Sequence, residues 1–391
     1  MADSIKTAMS RTWAEIDLDA LAHNVKTLRG LLTNNAKFLG VCKANAYGHG
    51  MLAVAKKLQE CKADMLAVAS VQEGVELRKH GITLPILCLG QAAPEIANLN
   101  CEYGITQAVG DFQNAKALSD TAVELHKKIK IHVKIDTGMG RLGFFWHEAG
   151  NNNLDEKNKT AQEIADLCKL PGLEPEGIFT HFADADGRPE YTHSQINKLN
   201  EIREYLAKLG VTFKIAHAAA STGVLKYPES HFNMGRLGLA LYGYASPEKG
   251  NSESNVDLKP VMTVKTRISA VRKLPANSSV SYGCTCTLKR DSVIAVLPLG
   301  YADGYPRCLG NNARVKIHNE YCPVIGRVCM DMIMADITDI KNVKAGDIAV
   351  IYDKDLLPEA AVKAQTIIDE IVCRVMPRIT RIYIDNGRMF L

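Results

Sequence analysis

From about residue 36 to 245, short β-branched runs alternate with longer amphipathic stretches, and no other feature of the sequence constrains the fold as tightly. KFLGVCKA (37–44) reads as a strand and GMLAVAKKLQE (50–60) as a helix. DMLAVAS (64–70) is the next strand, followed by VQEGVELRKHG (71–81), a helix closed by glycine. LPILCLG (84–90), YGITQAV (103–109), IKIHVKID (129–136), LEPEGIFTH (173–181) and FKIAHAA (213–219) read as further strands. DFQNAKALSDTAVELHKK and SQINKLNEIREYLAKLG are the clearest helices between them; the second repeats apolar residues at Ile196, Leu199, Ile202 and Leu206. Seven or eight such units suit a (β/α)8 barrel better than an open doubly wound sheet, because no G-x-G-x-x-G turn follows the first strand. Periodicity alone leaves both architectures open.

The pattern changes after SPEKGNSESN (246–255), a polar stretch that reads as a linker. VMTVKTRISAVRKL, SVIAVLP, ARVKIHN, YCPVIGRV, DMIMADIT and DIAVIYD are short alternating runs separated by turns, which predicts a β-rich second domain. One helix, AQTIIDEIVCRVM, is expected near the end. HEAGNNNLDEKNKT (147–160) reads as a surface loop of the barrel. The expected domains are a barrel over 12–247 and a mainly β domain over 248–391 that also takes the first ~11 residues. A chain of 391 residues has room for both.

Composition narrows the function classes. The net charge is +4 with no basic block, which argues against nucleic acid as a partner. No apolar run approaches ~18 residues, so a membrane span is not expected. The first residues lack the apolar core of a secretory signal. Eleven scattered cysteines without a C-x-x-C read as ordinary thiols of a reduced cytoplasmic protein rather than as disulfides or a metal site.

Lys43 closes the first strand, at the end where a barrel carries its catalytic groups. Flanked by Val41, Cys42 and Ala44, it reads either as a partly desolvated amine able to form a Schiff base or as a strand-end lysine reaching solvent. The segment K-A-N-A-Y-G-H-G (43–50) resembles the pyridoxal 5'-phosphate attachment site of alanine racemases. The resemblance continues in KIDTGMGRLGF (134–144), TH (180–181), AHAAASTG (216–223) and FNMGRLGLALYG (232–243). It extends through VSYGCTCT (280–287), LPLGYADGYPR (297–307), GRVCMDM (326–332) and PRITRIY (377–383), in order along nearly the whole chain.

That resemblance implies a homodimeric isomerase with shared active sites that interconverts L- and D-alanine with two bases, in the service of cell-wall precursor synthesis. Lys43 would hold the cofactor and serve as one base, and Tyr282 of a second subunit would serve as the other. His181 would hydrogen-bond the phenol and link it to Arg236, whose guanidinium would face the cofactor ring nitrogen and leave it unprotonated. Tyr47, Ser221, Gly238 and Leu239 would hold the phosphate. Arg141 and the Met330 amide would take the substrate carboxylate, Tyr301 would line the access channel, and Lys134 is a candidate for carbamylation. No metal is implied.

One position departs from the family pattern. T-I-I-D-E-I-V-C (366–373) carries Asp369 where the resemblance leads one to expect a tyrosine near the phosphate. Either Asp369 turns outward, or the pocket is roomier and more polar and accepts serine beside alanine. A serine or broad-specificity racemase is therefore the alternative. An amino-acid decarboxylase is disfavoured by Arg236, and a cofactor carrier without turnover by the second domain.

Overall fold

The structure is a computed structural model that describes residues 2–146, 154–252 and 254–391. The chain divides into two compact units: Val25–Ala44 with Ala55–Leu241, and Met1–Asn24 with Asn45–Val54 and Tyr242–Leu391.

The first unit is built on eight parallel strands: Lys37–Val41, Met65–Val68, Ile86–Cys88, Ile105–Val109, Ile129–Asp136, Leu173–Phe179, Ile215–His217 and Met234–Leu237. Each pairs with the next in the chain through Ile215–His217. The eighth strand closes the ring. It pairs with the first, placing Arg236 opposite Leu39, and on its other side the Asn233 and Arg236 amides donate to the Ala216 and Ala219 carbonyls. The barrel expectation is met.

Helices cover the strands because their apolar stripes match them. Ile196, Leu199, Ile202 and Leu206 of the helix Pro189–Lys208 are buried with Ile131, Val133 and Ile178 in one core cluster. On the strand Ile129–Asp136 the odd positions Ile131, Val133 and Ile135 are apolar, while the even positions His132, Lys134 and Asp136 are polar and equally buried. Barrel interiors are usually filled by branched aliphatic side chains. This one carries a polar column.

The second unit is a ten-stranded sheet, mostly antiparallel. Its strands include Met262–Arg267, Ala270–Leu274, Ser292–Leu297, Arg314–Ile317, Glu320–Ile325, Ile333–Asp336 and Ile348–Tyr352, as the alternation predicts. The strand Thr12–Asp17 differs from the expected division at residue 12. It pairs antiparallel with Met262–Arg267 and parallel with Thr380–Asp385, so its buried face completes this sheet. Such long-range pairing leaves no local trace.

Two other expectations need correction. Residues 147–153 of the expected surface loop lie outside the described residues, but Leu154–Leu167 is a helix. Its apolar face (Ala161, Ile164, Ala165, Leu167) begins only in the second half, so the polar first half reads as loop. The expected C-terminal helix is present but shorter, Ile368–Cys373, and a second helix, Leu356–Lys363, precedes it. None of the eleven cysteines is in a disulfide, and among the described residues no helix is long and apolar enough to cross a membrane.

Candidate active site

The expected site residues that belong to the barrel lie at or just beyond the C-terminal ends of its strands. Lys43, half-buried, follows the first strand by two positions. Lys134 and Asp136 end the fifth strand, His181 follows the sixth, and Arg236 lies near the end of the eighth.

Arg236 is the centre of this group. It is buried, and its two Nη atoms meet four acceptors: Nδ1 of His217 (2.9 Å), Nδ1 of His181 (3.0 Å) and the carbonyls of Thr180 (2.9 Å) and Ala218 (2.7 Å). Burial pushes the guanidinium down to about 9, with Arg141 adding to the effect, so it is still protonated at neutrality. Guanidinium offers only donors, so both imidazoles accept at Nδ1. Burial, and then the charge of Arg236, hold both histidines well below their ordinary range. Each neutral ring therefore carries its proton on Nε2. For His181 that makes Nε2–H a donor of fixed tautomer. Nε–H of Arg236 and the second Nη1–H take no protein partner among the described residues, which leaves donors for a ligand acceptor.

Arg141 is exposed on the loop that follows the fifth strand, and Asp136 shapes that loop. Its Oδ1 accepts the amides of Gly138, Met139 and Gly140 at 2.9, 2.8 and 3.1 Å. Gly143 (φ +118°) then passes so close to Lys134 that a Cβ would stand 2.7 Å from the Lys134 carbonyl. Lys134 is itself buried; its Nζ donates to the Ile135 carbonyl at 2.8 Å. Burial, and then Arg236, push this amine down to about 7, with Asp136 opposing and Arg141 adding. A large fraction of Lys134 is thus uncharged, and nucleophilic, at neutral pH.

The Ser221 hydroxyl accepts the amides of both Gly238 and Ala240 at 3.1 Å, tying the serine to the loop after the eighth strand where Gly238 and Leu239 stand. The turn after Lys43 has an unusual hand. Ala44, Asn45, Ala46 and Tyr47 all lie at φ between 52° and 54°, a left-handed turn of four non-glycine residues. One distant and one local bond hold it: the Ala44 amide donates to Glu73 (2.7 Å), and His49 Nδ1 donates to the Tyr47 carbonyl (2.8 Å). Tyr47 packs on Tyr242, ring centroids 4.9 Å apart. Nothing in the composition of A-N-A-Y announces this hand.

The second unit carries Tyr282, Tyr301 and Met330 on three loops that are bonded together. Ser281 Oγ donates to the Arg327 carbonyl (2.6 Å), and the amides of Tyr301 and Ala302 donate to the carbonyls of Cys329 and Met330 (3.1 and 3.0 Å). Asp303, fully buried, accepts Arg11 through both oxygens (2.8 Å each), Arg378 (3.0 Å) and the Gly300 amide (2.8 Å). Arg378 also pairs with Asp331 at 2.7 Å. Tyr282 is nevertheless 69% exposed, Met330 53% and Tyr301 43%. Asp369 is half-buried in the first turn of Ile368–Cys373, a helix whose Val372 carbonyl lies against Gly48. Sequence reasoning missed His217, Asp136 as a loop anchor, and Asp303. His217 stood inside the motif AHAAASTG but could not be given a partner.

Comparisons with known proteins agree along the whole chain. The family models described as the N-terminal and C-terminal domains of alanine racemase match residues 16–246 and 261–383. An alanine racemase of Clostridium perfringens is 42% identical over 383 residues, covering 96% of each chain. The solved alanine racemase of Clostridium difficile superposes with a TM-score of 0.90 at 37% identity, covering 97% of each chain. That of Bartonella henselae, solved with covalently bound pyridoxal phosphate, has a TM-score of 0.84 at 25% identity, covering 96% of this chain and all of the other. The chain belongs to the alanine racemase family of isomerases.

Proposed function

We propose that the protein interconverts L- and D-alanine as a pyridoxal-phosphate-dependent homodimer, with Lys43 and the partner subunit's Tyr282 as opposed bases. The observation that carries this reading is the donor set around Arg236. A buried cation that fixes two neutral histidines and keeps Nε–H for a ligand fits a heteroaromatic nitrogen that must stay unprotonated. Ser221, Gly238 and Leu239, with Tyr47, would hold the phosphate, and Lys43 would form the covalent link. Bound there, pyridoxal phosphate would supply the electron-withdrawing ring that acidifies the substrate α-hydrogen.

The chain's own residues account for the remaining steps. Racemisation needs a proton removed from one face of Cα and another delivered to the opposite face. Lys43 would serve one face through Nζ. A phenol of ordinary pKa ~10 is a weak base at neutrality unless its anion is stabilised. His181 Nε2–H, fixed as a donor by Arg236, would supply that hydrogen bond to the Tyr282 phenol. Arg141 and the Met330 amide would orient the substrate carboxylate, and Tyr301 would exclude water and competing ligands.

Lys134 would become carbamylated: its neutral Nζ attacks carbon dioxide, an N–C bond forms, and one proton leaves to solvent. The product is an anion beside Arg141 and Arg236, to which the unmodified amine, neutral or protonated, would offer no counter-charge. The decisive experiment incubates the cofactor-loaded enzyme with L-alanine in deuterium oxide. Incorporation of α-deuterium together with D-alanine supports racemisation by removal and return of the α-proton. Carbon dioxide release, or exchange without inversion, would overturn it.

A further inference from the structure

The hydrogen bonds that leave Arg236 do not stop at His217. His217 Nε2 lies 2.8 Å from Nδ1 of His132, and His132 Nε2 lies 3.4 Å from Oε2 of Glu176, whose Oε1 accepts Lys130 Nζ at 2.8 Å. Both ends of this chain have a fixed direction. Arg236 can only donate, and an ionised carboxylate can only accept, so each imidazole has one workable tautomer. Nε2–H of His217 points to His132, and Nε2–H of His132 points to Glu176. The column runs from Lys130 and Glu176 to Arg236 at the catalytic end of the barrel.

We propose that Glu176 and His132 are positioning residues for the reaction: through His217 they fix the orientation of Arg236.

Three further observations support the assignment. His132 and His217 are fully buried, so neither ring can exchange its partner for water. Gly177, beside Glu176, makes room for the His132 ring; a Cβ there would stand 2.6 Å from Nδ1. The hydrogen bond from His132, followed by that from Lys130, holds the Glu176 carboxyl down at about 2 despite partial burial, so it is an anion throughout the working range. The chain thus places a carboxylate two neutral rings away from a buried cation. It holds Arg236 in place without setting an anion next to the donor that a ring nitrogen must meet.

The inference rests on Arg236 facing the cofactor ring, and the test separates the two claims. Full-length enzyme labelled with 15N-histidine is prepared as wild type, Glu176→Gln, Glu176→Leu, Gly177→Ala and Arg236→Lys. Proton-detected 15N spectra report the ring tautomers, and each protein is loaded with pyridoxal phosphate for absorbance, kcat and KM. Gln keeps an acceptor, so wild-type His217 signals and a kcat within about twofold are expected. Leu strands the His132 N–H; the His217 signals should shift and kcat fall roughly tenfold with KM nearly unchanged. Gly177→Ala, which displaces the ring without removing a polar group, should reproduce that pattern and carries the test if the Leu variant does not fold. Unshifted His217 signals and unchanged kcat in both would overturn the proposal, as would Gln falling as far as Leu. If Arg236→Lys alters the cofactor absorbance while Glu176→Leu alters neither rings nor kcat, the relay alone fails. If Arg236→Lys leaves the absorbance unchanged, the reading of Arg236 fails and the relay's role with it.

Discussion

The groups in the barrel and the groups on the second unit's loops are held in opposite ways. Arg236, His217 and Lys134 are buried, and the first two are fixed by several hydrogen bonds each. Tyr282, Tyr301 and Met330 stand on a well-bonded base yet expose most or much of their apolar surface. A buried polar group must find its partners within its own chain, because an unmet donor or acceptor costs roughly 1–3 kcal/mol. A large exposed side chain on a rigid loop has its geometry set in advance and its burial left to another surface.

The largest effect should come from the barrel side. Lys43→Ala is expected to abolish covalent cofactor attachment, read by mass after borohydride reduction, and to lower turnover by more than about a thousandfold. Tyr282→Phe should cost about a hundredfold or more, chiefly for the enantiomer whose proton it removes. These two variants then test the comparison directly. Mixing Lys43→Ala with Tyr282→Phe chains should restore activity, since one site of the mixed dimer is whole; no recovery after proven subunit exchange would place both bases in one chain.

A smaller effect is expected at Lys134. Removing carbon dioxide and bicarbonate should raise KM for alanine roughly tenfold, reversibly in wild type and not at all in Lys134→Gln. The same residue fixes a pH dependence when unmodified. Its amine is held at about 7 in the fold and returns to the ordinary range near 10.5 on unfolding. Between those values the unfolded chain binds more protons, so stability rises with pH across that window and is flat below it. Lys134→Met should remove that slope, read by denaturant midpoints at pH 6, 8 and 10 in carbonate-free buffer. The smallest effect belongs to Asp369→Tyr, which should lower the serine-to-alanine ratio of kcat/KM by a few-fold. An unchanged ratio would mean that Asp369 has no part in selectivity.

Much of this was legible in the sequence, and the gaps have physical causes. Alternating runs revealed the barrel because each strand is short, β-branched and followed by its own helix. Lys43, Arg236 and His181 were legible because they sit in distinctive motifs at strand ends. His132 was not. Inside IKIHVKID it reads as one more alternating position, and its partner His217 is 85 residues away. Glu176 reads as a solvated charge until the ring above Gly177 is seen. Thr12–Asp17 was assigned by proximity to the barrel, but its register is set by Met262–Arg267 and Thr380–Asp385 at the far end of the chain.

The left-handed turn after Lys43 has a consequence for how the site can be built. Each L-residue in that hand costs roughly 1–2 kcal/mol, so four in a row are not adopted by an isolated peptide of this sequence. In the fold the turn is held by Glu73 at the Ala44 amide and Arg381 at the Gly48 carbonyl, contacts 29 and 333 residues away in sequence. The segment 43–50 is therefore not portable: grafted onto another scaffold, it would keep its lysine and lose its geometry. D-alanine at positions 44 and 46, introduced by chemical synthesis, would suit the turn better than the residues the ribosome supplies.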